Sequence, residues 1–192
     1  MFQLNKYIKN HYGLTLIELL AGLVILAIVS TLTYSILVKT LETNRNVQQE
    51  TMLRDEADII VSKFIKTLYT TNQNHIVRNI SNQYIEVTND ITKCQKDDND
   101  IWIITSECQN TLEPIGFKTE GNNTYIYFKK EKYAVQNSGI KISDNSEIIG
   151  NPATDSIYEI NLKLEVIKKR SGIDQPKTME FKNRIQPIVR SK

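Results

Sequence analysis

The chain has 192 residues, 24 basic and 22 acidic side chains, a formal net charge of +2 and a mean hydropathy of −0.35. That length holds one membrane segment and one modest domain, with no room for two large ones. Lys6 and Lys9 lie ahead of the first apolar run; without them 22 bases meet 22 acids, so global charge gives no case for a nucleic-acid binder.

The chain opens with MFQLNKYIKNHYG, a short polar stretch without an acid, and continues into GLTLIELLAGLVILAIVS (Gly13 to Ser30). From Leu19 to Val38 there are 20 uncharged residues, ended by Lys39. That matches the ~20 residues a helix needs to cross a hydrocarbon core. A secretory signal explains the run poorly. It is longer than such a signal needs, Glu18 stands where its apolar part would begin, and a cut after Ser30 would put Ile28 where a small residue is required. A plain anchor leaves Glu18 unexplained, because a carboxylate at the centre of a membrane helix costs roughly 2.5–3.5 kcal/mol. Lys6 and Lys9 precede the run while Lys39, Arg45 and Arg54 follow it, so flanking charge does not orient the span.

The stretch Gly13-Leu14-Thr15-Leu16-Ile17-Glu18-Leu19-Leu20 resembles the prepilin cleavage signal of type IV pilins and type II secretion pseudopilins. The family usually has Phe where this chain has Leu14. The resemblance covers the leader and span strongly and the remainder only in layout. It implies that a prepilin peptidase cuts between Gly13 and Leu14 on the cytoplasmic side and methylates the new amino group of Leu14. It also implies a single-pass membrane protein with its C-terminal part outside. An assembly platform with its ATPase machinery would then draw it into a filament with other pilin or pseudopilin subunits. In that filament Glu18 would meet the amino terminus of a neighbour and set register, since a buried carboxylate needs a cation to neutralise it.

No Gly or Pro occurs from Leu23 to Glu113, so the span is expected to run on as one helix to the polar cluster TTNQN, Thr70 to Asn74. From Leu14 to Thr71 such a helix would measure ~87 Å at 1.5 Å per residue. KTLETNRNVQQE (Lys39 to Glu50) reads as a polar neck. Beyond it Leu53, Ala57, Ile60, Phe64 and Leu68 form an apolar stripe flanked by Val61 and Ile65, expected to lie under the C-terminal part as core, and Glu50 is placed to pair with Arg54 one turn on.

Past Asn74 the pattern changes to strands. Tyr158, Ile160, Leu162, Leu164 and Val166 alternate with polar residues, and so do Met179, Phe181 and Ile185 after KKRSGIDQPK, which predicts a hairpin. IGFKTEGNNTYIYFKK (Ile115 to Lys130) predicts a second hairpin with its turn at GNN. Shorter strands are expected in QYIEV (Gln83 to Val87), IWIIT (Ile101 to Thr105) and KYAVQ (Lys132 to Gln136). The expected fold class is α+β: a long N-terminal helix, transmembrane in its first half and amphipathic in its second, packed against a C-terminal antiparallel β-sheet head. The expected division is a leader at 1–13, a transmembrane helix at 14–38, its amphipathic extension at 39–71 and a head at 72–192.

Cys94 and Cys108 are expected to form a disulfide across the turn QKDDND on an exported chain, closing a 15-residue loop; two buried thiols are the alternative. No nucleophile motif, phosphate loop or Cys/His metal spacing occurs, so an enzyme is not expected and no cofactor or metal is assigned. His75 beside a helix end reads as a surface or capping residue. KDDND (Lys96 to Asp100) lacks the Gly and distant Glu of a calcium loop and reads as a solvated turn. Eight bases between Lys168 and Lys192 face only Asp174 and Glu180, yet few aromatics are interleaved. They read as a solvated strand face, or as partners for acids of the next subunit, rather than as a direct DNA contact. The function expected is a minor pilin or pseudopilin of a filament for DNA uptake, motility, adhesion or secretion. The rival is a single-span surface-anchored binding protein that does not polymerise.

Overall fold

The computed structural model describes residues 15–98, 101–167 and 177–188. The chain divides into two compact units, Met1–Gln48 and Gln49–Lys192. The architecture is α+β, with a long N-terminal helix followed by antiparallel sheets. Helix α1 (Leu16–Tyr69) is continuous, as the lack of Gly and Pro after Leu23 predicts. In the first unit every described residue is exposed, apolar ones included.

In the second unit α1 buries one stripe, Leu53, Ala57, Ile60, Phe64 and Leu68, together with Glu56. Among the described residues eleven strands follow: β1 (Ile76–Ile80), β2 (Tyr84–Thr88), β3 (Gln95–Lys96), β4 (Trp102–Ile103), β5 (Leu112–Glu120), β6 (Asn123–Phe128), β7 (Glu131–Tyr133), β8 (Ile140–Ile142), β9 (Glu147–Ile149), β10 (Tyr158–Val166) and β11 (Thr178–Ile185), with a short helix α2 (Ser106–Gln109) between β4 and β5. They form a five-stranded sheet in the order β1-β2-β5-β6-β7, a four-stranded sheet in which β10 pairs β11, β8 and β9, and the ribbon β3-β4. The expected antiparallel head is thus present, divided among these three sheets.

Both expected hairpins are present. Tyr158 stands opposite Ile185 in β10-β11, and Glu120 opposite Asn123 in β5-β6. The second turn is therefore Gly121-Asn122, with Gly121 at φ +63° in the first central position, where a type II′ turn favours Gly. The expected strand at Gln83 to Val87 lies at β2 and that at Lys132 to Gln136 at β7. The one at Ile101 to Thr105 shrinks to β4 because Thr105 caps α2, its hydroxyl accepting from the Cys108 amide at 3.3 Å. Strands β1, β8 and β9 carry no expectation from the sequence, and β3 forms at the start of QKDDND, an expected turn.

One core joins helix and sheets. Phe64 lies 5.4 Å from Phe117 and 4.8 Å from Phe128, ring centre to ring centre, while Ile85, Ile115, Ile126, Ile160, Leu162 and Leu164 complete the same cluster. Glu50 differs from its expected pairing: its carboxylate takes Lys177 at 2.5 Å. An ion pair one turn apart on a helix is worth only a few tenths of a kcal/mol, so a lysine delivered beside β11 is free to replace it.

Candidate processing and assembly site

Gly13 and Leu14, the expected cleavage and methylation positions, lie outside the described residues. The structure begins at Thr15, the residue after Leu14, and shows how Glu18 is held. The Thr15 amide donates to Glu18 Oε2 at 3.0 Å, and so does the Thr15 hydroxyl, also at 3.0 Å. In return the Glu18 amide donates to Thr15 Oγ1 at 3.4 Å. Leu19 closes the first helical turn by donating to the Thr15 carbonyl at 3.2 Å. This is a reciprocal capping box of the T-x-x-E type, in which two amides left orphaned by the start of a helix find side-chain acceptors. The carboxylate also lies in the first turn, where the helix dipole favours negative charge. Thr15 as cap is a residue the sequence reasoning missed, although threonine followed three residues later by glutamate, ahead of an apolar run, was readable.

Behind this cap α1 is long and apolar enough to cross a membrane by length and composition. Three of its threonine hydroxyls bond back to the helix's own carbonyls. Thr31 donates to the Ile28 carbonyl at 2.8 Å, Thr33 to that of Val29 at 2.8 Å and Thr40 to that of Ile36 at 2.9 Å.

Residues 8–34 match the family model described as the prokaryotic N-terminal methylation motif. The chain carries the type IV pilin prepilin signal. The motif marks a type IV pilin-like or pseudopilin-like precursor and implies processing by prepilin peptidase and assembly with other pilins. The proteins it marks are structural rather than enzymatic, and the apolar helix behind it is consistent with membrane anchoring. No curated protein and no solved structure matches the chain.

The remaining expected positions lie in the second unit. Cys94 and Cys108 are joined by a disulfide, their Cα atoms 4.7 Å apart. Cys94 sits just before β3 and Cys108 within α2, so the bond ties the two ends of the segment that carries the β3-β4 ribbon. The Thr88 and Thr111 hydroxyls, 2.8 Å from each other, lie 3.7 and 3.8 Å from the Cys94 sulfur. His75 ends a single 3-10 turn, with Nδ1 at 3.1 Å from the Thr88 carbonyl. In KDDND, Asp97 Oδ1 accepts from the Ile101 amide at 2.8 Å, closing the ribbon's turn, while Asn99 and Asp100 lie outside the described residues. Among the described residues no cluster of three His, Cys, Asp or Glu is arranged to hold a metal.

Of the C-terminal bases, Lys177, Lys182 and Arg184 each meet an acid of their own chain. Lys177 takes Glu50 at 2.5 Å, Lys182 takes Glu180 at 3.4 Å, and Arg184 takes Glu159 at 2.9 Å. Neither partners in the next subunit nor a nucleic acid is needed to account for these three. Lys168, Lys169, Arg170, Arg190 and Lys192 lie outside the described residues.

A second group escaped the sequence. Glu56 is buried in the stripe of α1, and its Oε1 accepts from the hydroxyl of Tyr133 at 2.7 Å. Burial first, and the bond to Glu56 second, raise the Tyr133 hydroxyl well above its ordinary value. Nothing local in sequence links two residues 77 positions apart.

Proposed function

We propose that this chain is a minor pilin or pseudopilin of a type IV pilus-like filament. Prepilin peptidase cuts it between Gly13 and Leu14, Leu14 is methylated, and the membrane holds the subunit by α1 until an assembly platform and its ATPase extract it. The second unit stands outside the cell. The observation that carries this reading is the methylation motif at residues 8–34 running directly into an exposed apolar helix that is long enough to span a bilayer.

Glu18 fits a register role. Its two bonds to Thr15 both end on Oε2 and keep the carboxylate at the helix start, with Oε1 left for the new amino group of a neighbour. A dry carboxylate beside that cation is a strong pair, and removing one partner leaves an uncompensated buried charge.

Mass spectrometry of the mature N-terminus tests processing: the expected species begins at N-methylated Leu14. A chain retaining residues 1–13, or one cut elsewhere, defeats the reading and favours a surface-anchored protein that does not polymerise. Variants separate the later steps. Gly13→Trp should accumulate as full-length precursor, while Glu18→Ala should be cut normally but fail to cross-link to neighbouring subunits. Unchanged cross-links of Glu18→Ala would assign Glu18 to the peptidase or methylation step instead.

A further inference from the structure

We infer that the second unit carries a binding groove for a short neutral glycan. The groove has a volume of about 730 Å³, within the usual range for small-molecule sites. Its walls are β1 with the 3-10 turn before it, the β3-β4 ribbon, and the segment after β9 that runs from Gly150 to Asp155. Gly150 is at φ +153°, and a Cβ there would lie 2.5 Å from the Tyr158 ring, so only glycine lets this wall lie flat.

The chemistry of the lining selects the ligand. Trp102 of the ribbon supplies an aromatic ring, one face of it covered by Lys96 and the other left for a ligand, with Ile101 and Ile149 also in the lining. Asn74 and Asn82 line the groove, both exposed, and among the described residues their side-chain amides form no hydrogen bond, so each offers a donor and an acceptor. A carboxamide matches the paired hydroxyls of a sugar, and an aromatic ring covers the apolar face of a pyranose.

The charges are already committed. Arg78 is held by Glu86 at 2.5 Å and by Gln109 at 3.2 Å. Asp155 accepts from the Asn151 amide at 2.8 Å and from the Thr154 hydroxyl at 3.0 Å. The Lys96 ammonium rests 4.7 Å from the centre of the Trp102 ring. A polyanion needs uncommitted cations to release its counterions, and the lining does not offer them. An added peptide strand is disfavoured too. Asn79 on β1 donates to the Ile148 and Gly150 carbonyls at 3.0 and 2.8 Å and ties that edge to the opposite wall. The Cys94–Cys108 bond holds the Trp102 ribbon in place before a ligand arrives, which reduces the ordering cost of binding.

Trp102 is the sole tryptophan of the chain, so its emission reports the groove directly. The full chain is titrated in lauryldimethylamine oxide, a detergent without a sugar head group. The probes are maltotriose, cellotriose, triacetylchitotriose and the oligonucleotide (dT)12. At least one trisaccharide should give a saturable change, half complete at about 1 mM or below, with none from (dT)12. Asn74→Ala and Asn82→Gly should each weaken that binding about fivefold or more. Asn82 has φ +57°, so glycine there removes the amide without backbone strain. Tyr125→Ala, outside the groove, should leave binding unchanged, and all variants should keep the parent's circular dichroism. Three results overturn the inference: no saturable change with any trisaccharide up to about 20 mM, binding that ignores both Asn variants, or saturable binding of (dT)12 in place of the sugars.

Discussion

The Glu56–Tyr133 contact allows a sharp test of how α1 is fixed against the five-stranded sheet. Both side chains are 6% exposed, so the single bond between them, 2.7 Å long, is made out of reach of bulk water. Tyr133→Phe removes the donor and little volume, leaving a buried carboxyl group short of its partner. An unmet buried acceptor costs about 1–3 kcal/mol, so a loss of about 2 kcal/mol is expected. With a urea m-value of about 2 kcal/mol/M, that moves the midpoint down by about 1 M. Glu56→Leu combined with Tyr133→Phe replaces both groups by apolar ones of similar size and should cost less than about 1 kcal/mol, because no polar atom is then stranded. The assay is equilibrium urea unfolding of the fragment beginning at Gln49, disulfide intact, for the parent, both single variants and the double. A Tyr133→Phe cost under about 0.5 kcal/mol, or a double variant no better than the sum of the singles, would refute the idea that this pair is dry and coupled.

Phe64→Ala removes a ring packed on both Phe117 and Phe128, and should cost about 3–5 kcal/mol in the same unfolding assay, whereas exposed Ile59→Ala should cost under about 1. Removing the disulfide by Cys94→Ala with Cys108→Ala should cost about 3 kcal/mol, the chain-entropy value for a 15-residue loop, and reduction of the parent should cost a similar amount. Tyr158, fully buried, has its hydroxyl pushed up to about 12 chiefly by desolvation. Its contribution is complete below the unfolded pKa near 10 and is lost as pH rises towards 12, because the unfolded chain ionises first. Unfolding at pH 11 should therefore show a loss of about 1.4 kcal/mol from this group, absent in Tyr158→Phe.

What could be read from the sequence were the features that repeat locally. The α1 stripe recurs at helical spacing, and β10 and β11 alternate over eight or more residues each, so their periods survive without knowledge of the fold. Strands β8 and β9 are three residues long and exist because β10 pairs them, which no local pattern encodes. Strand β1 reads IVRNI, with its buried residues adjacent rather than alternating, and a shift in register between Ile76 and Arg78 hides the period of two. Of the candidate site, the prepilin signal was fully legible, because a peptidase reads contiguous residues. Glu56 was not legible, since its partner comes from β7. The groove walls come from three separated segments, and only the fold brings Asn74, Asn82 and Trp102 to one surface.

The capping box changes the physical account of Glu18. A carboxylate entering a membrane helix is costly mainly because its oxygens lose water, and at this position the helix start supplies two replacement donors to one of them, Oε2. The Thr15 amide would otherwise be one of the orphaned donors at the helix start, so a single contact satisfies a stranded donor and a stranded acceptor. A cut between Gly13 and Leu14 leaves the Thr15 amide intact as a peptide group, one residue inside the new terminus, so the cap does not depend on the leader. Under the proposed processing the same carboxylate would be sheltered by its own helix before assembly and still carry its charge after cleavage. On this reading threonine at position 15 is part of the mechanism rather than a neutral neighbour. It lets a charged residue wait in the membrane at low cost, without spending the charge that docking later requires.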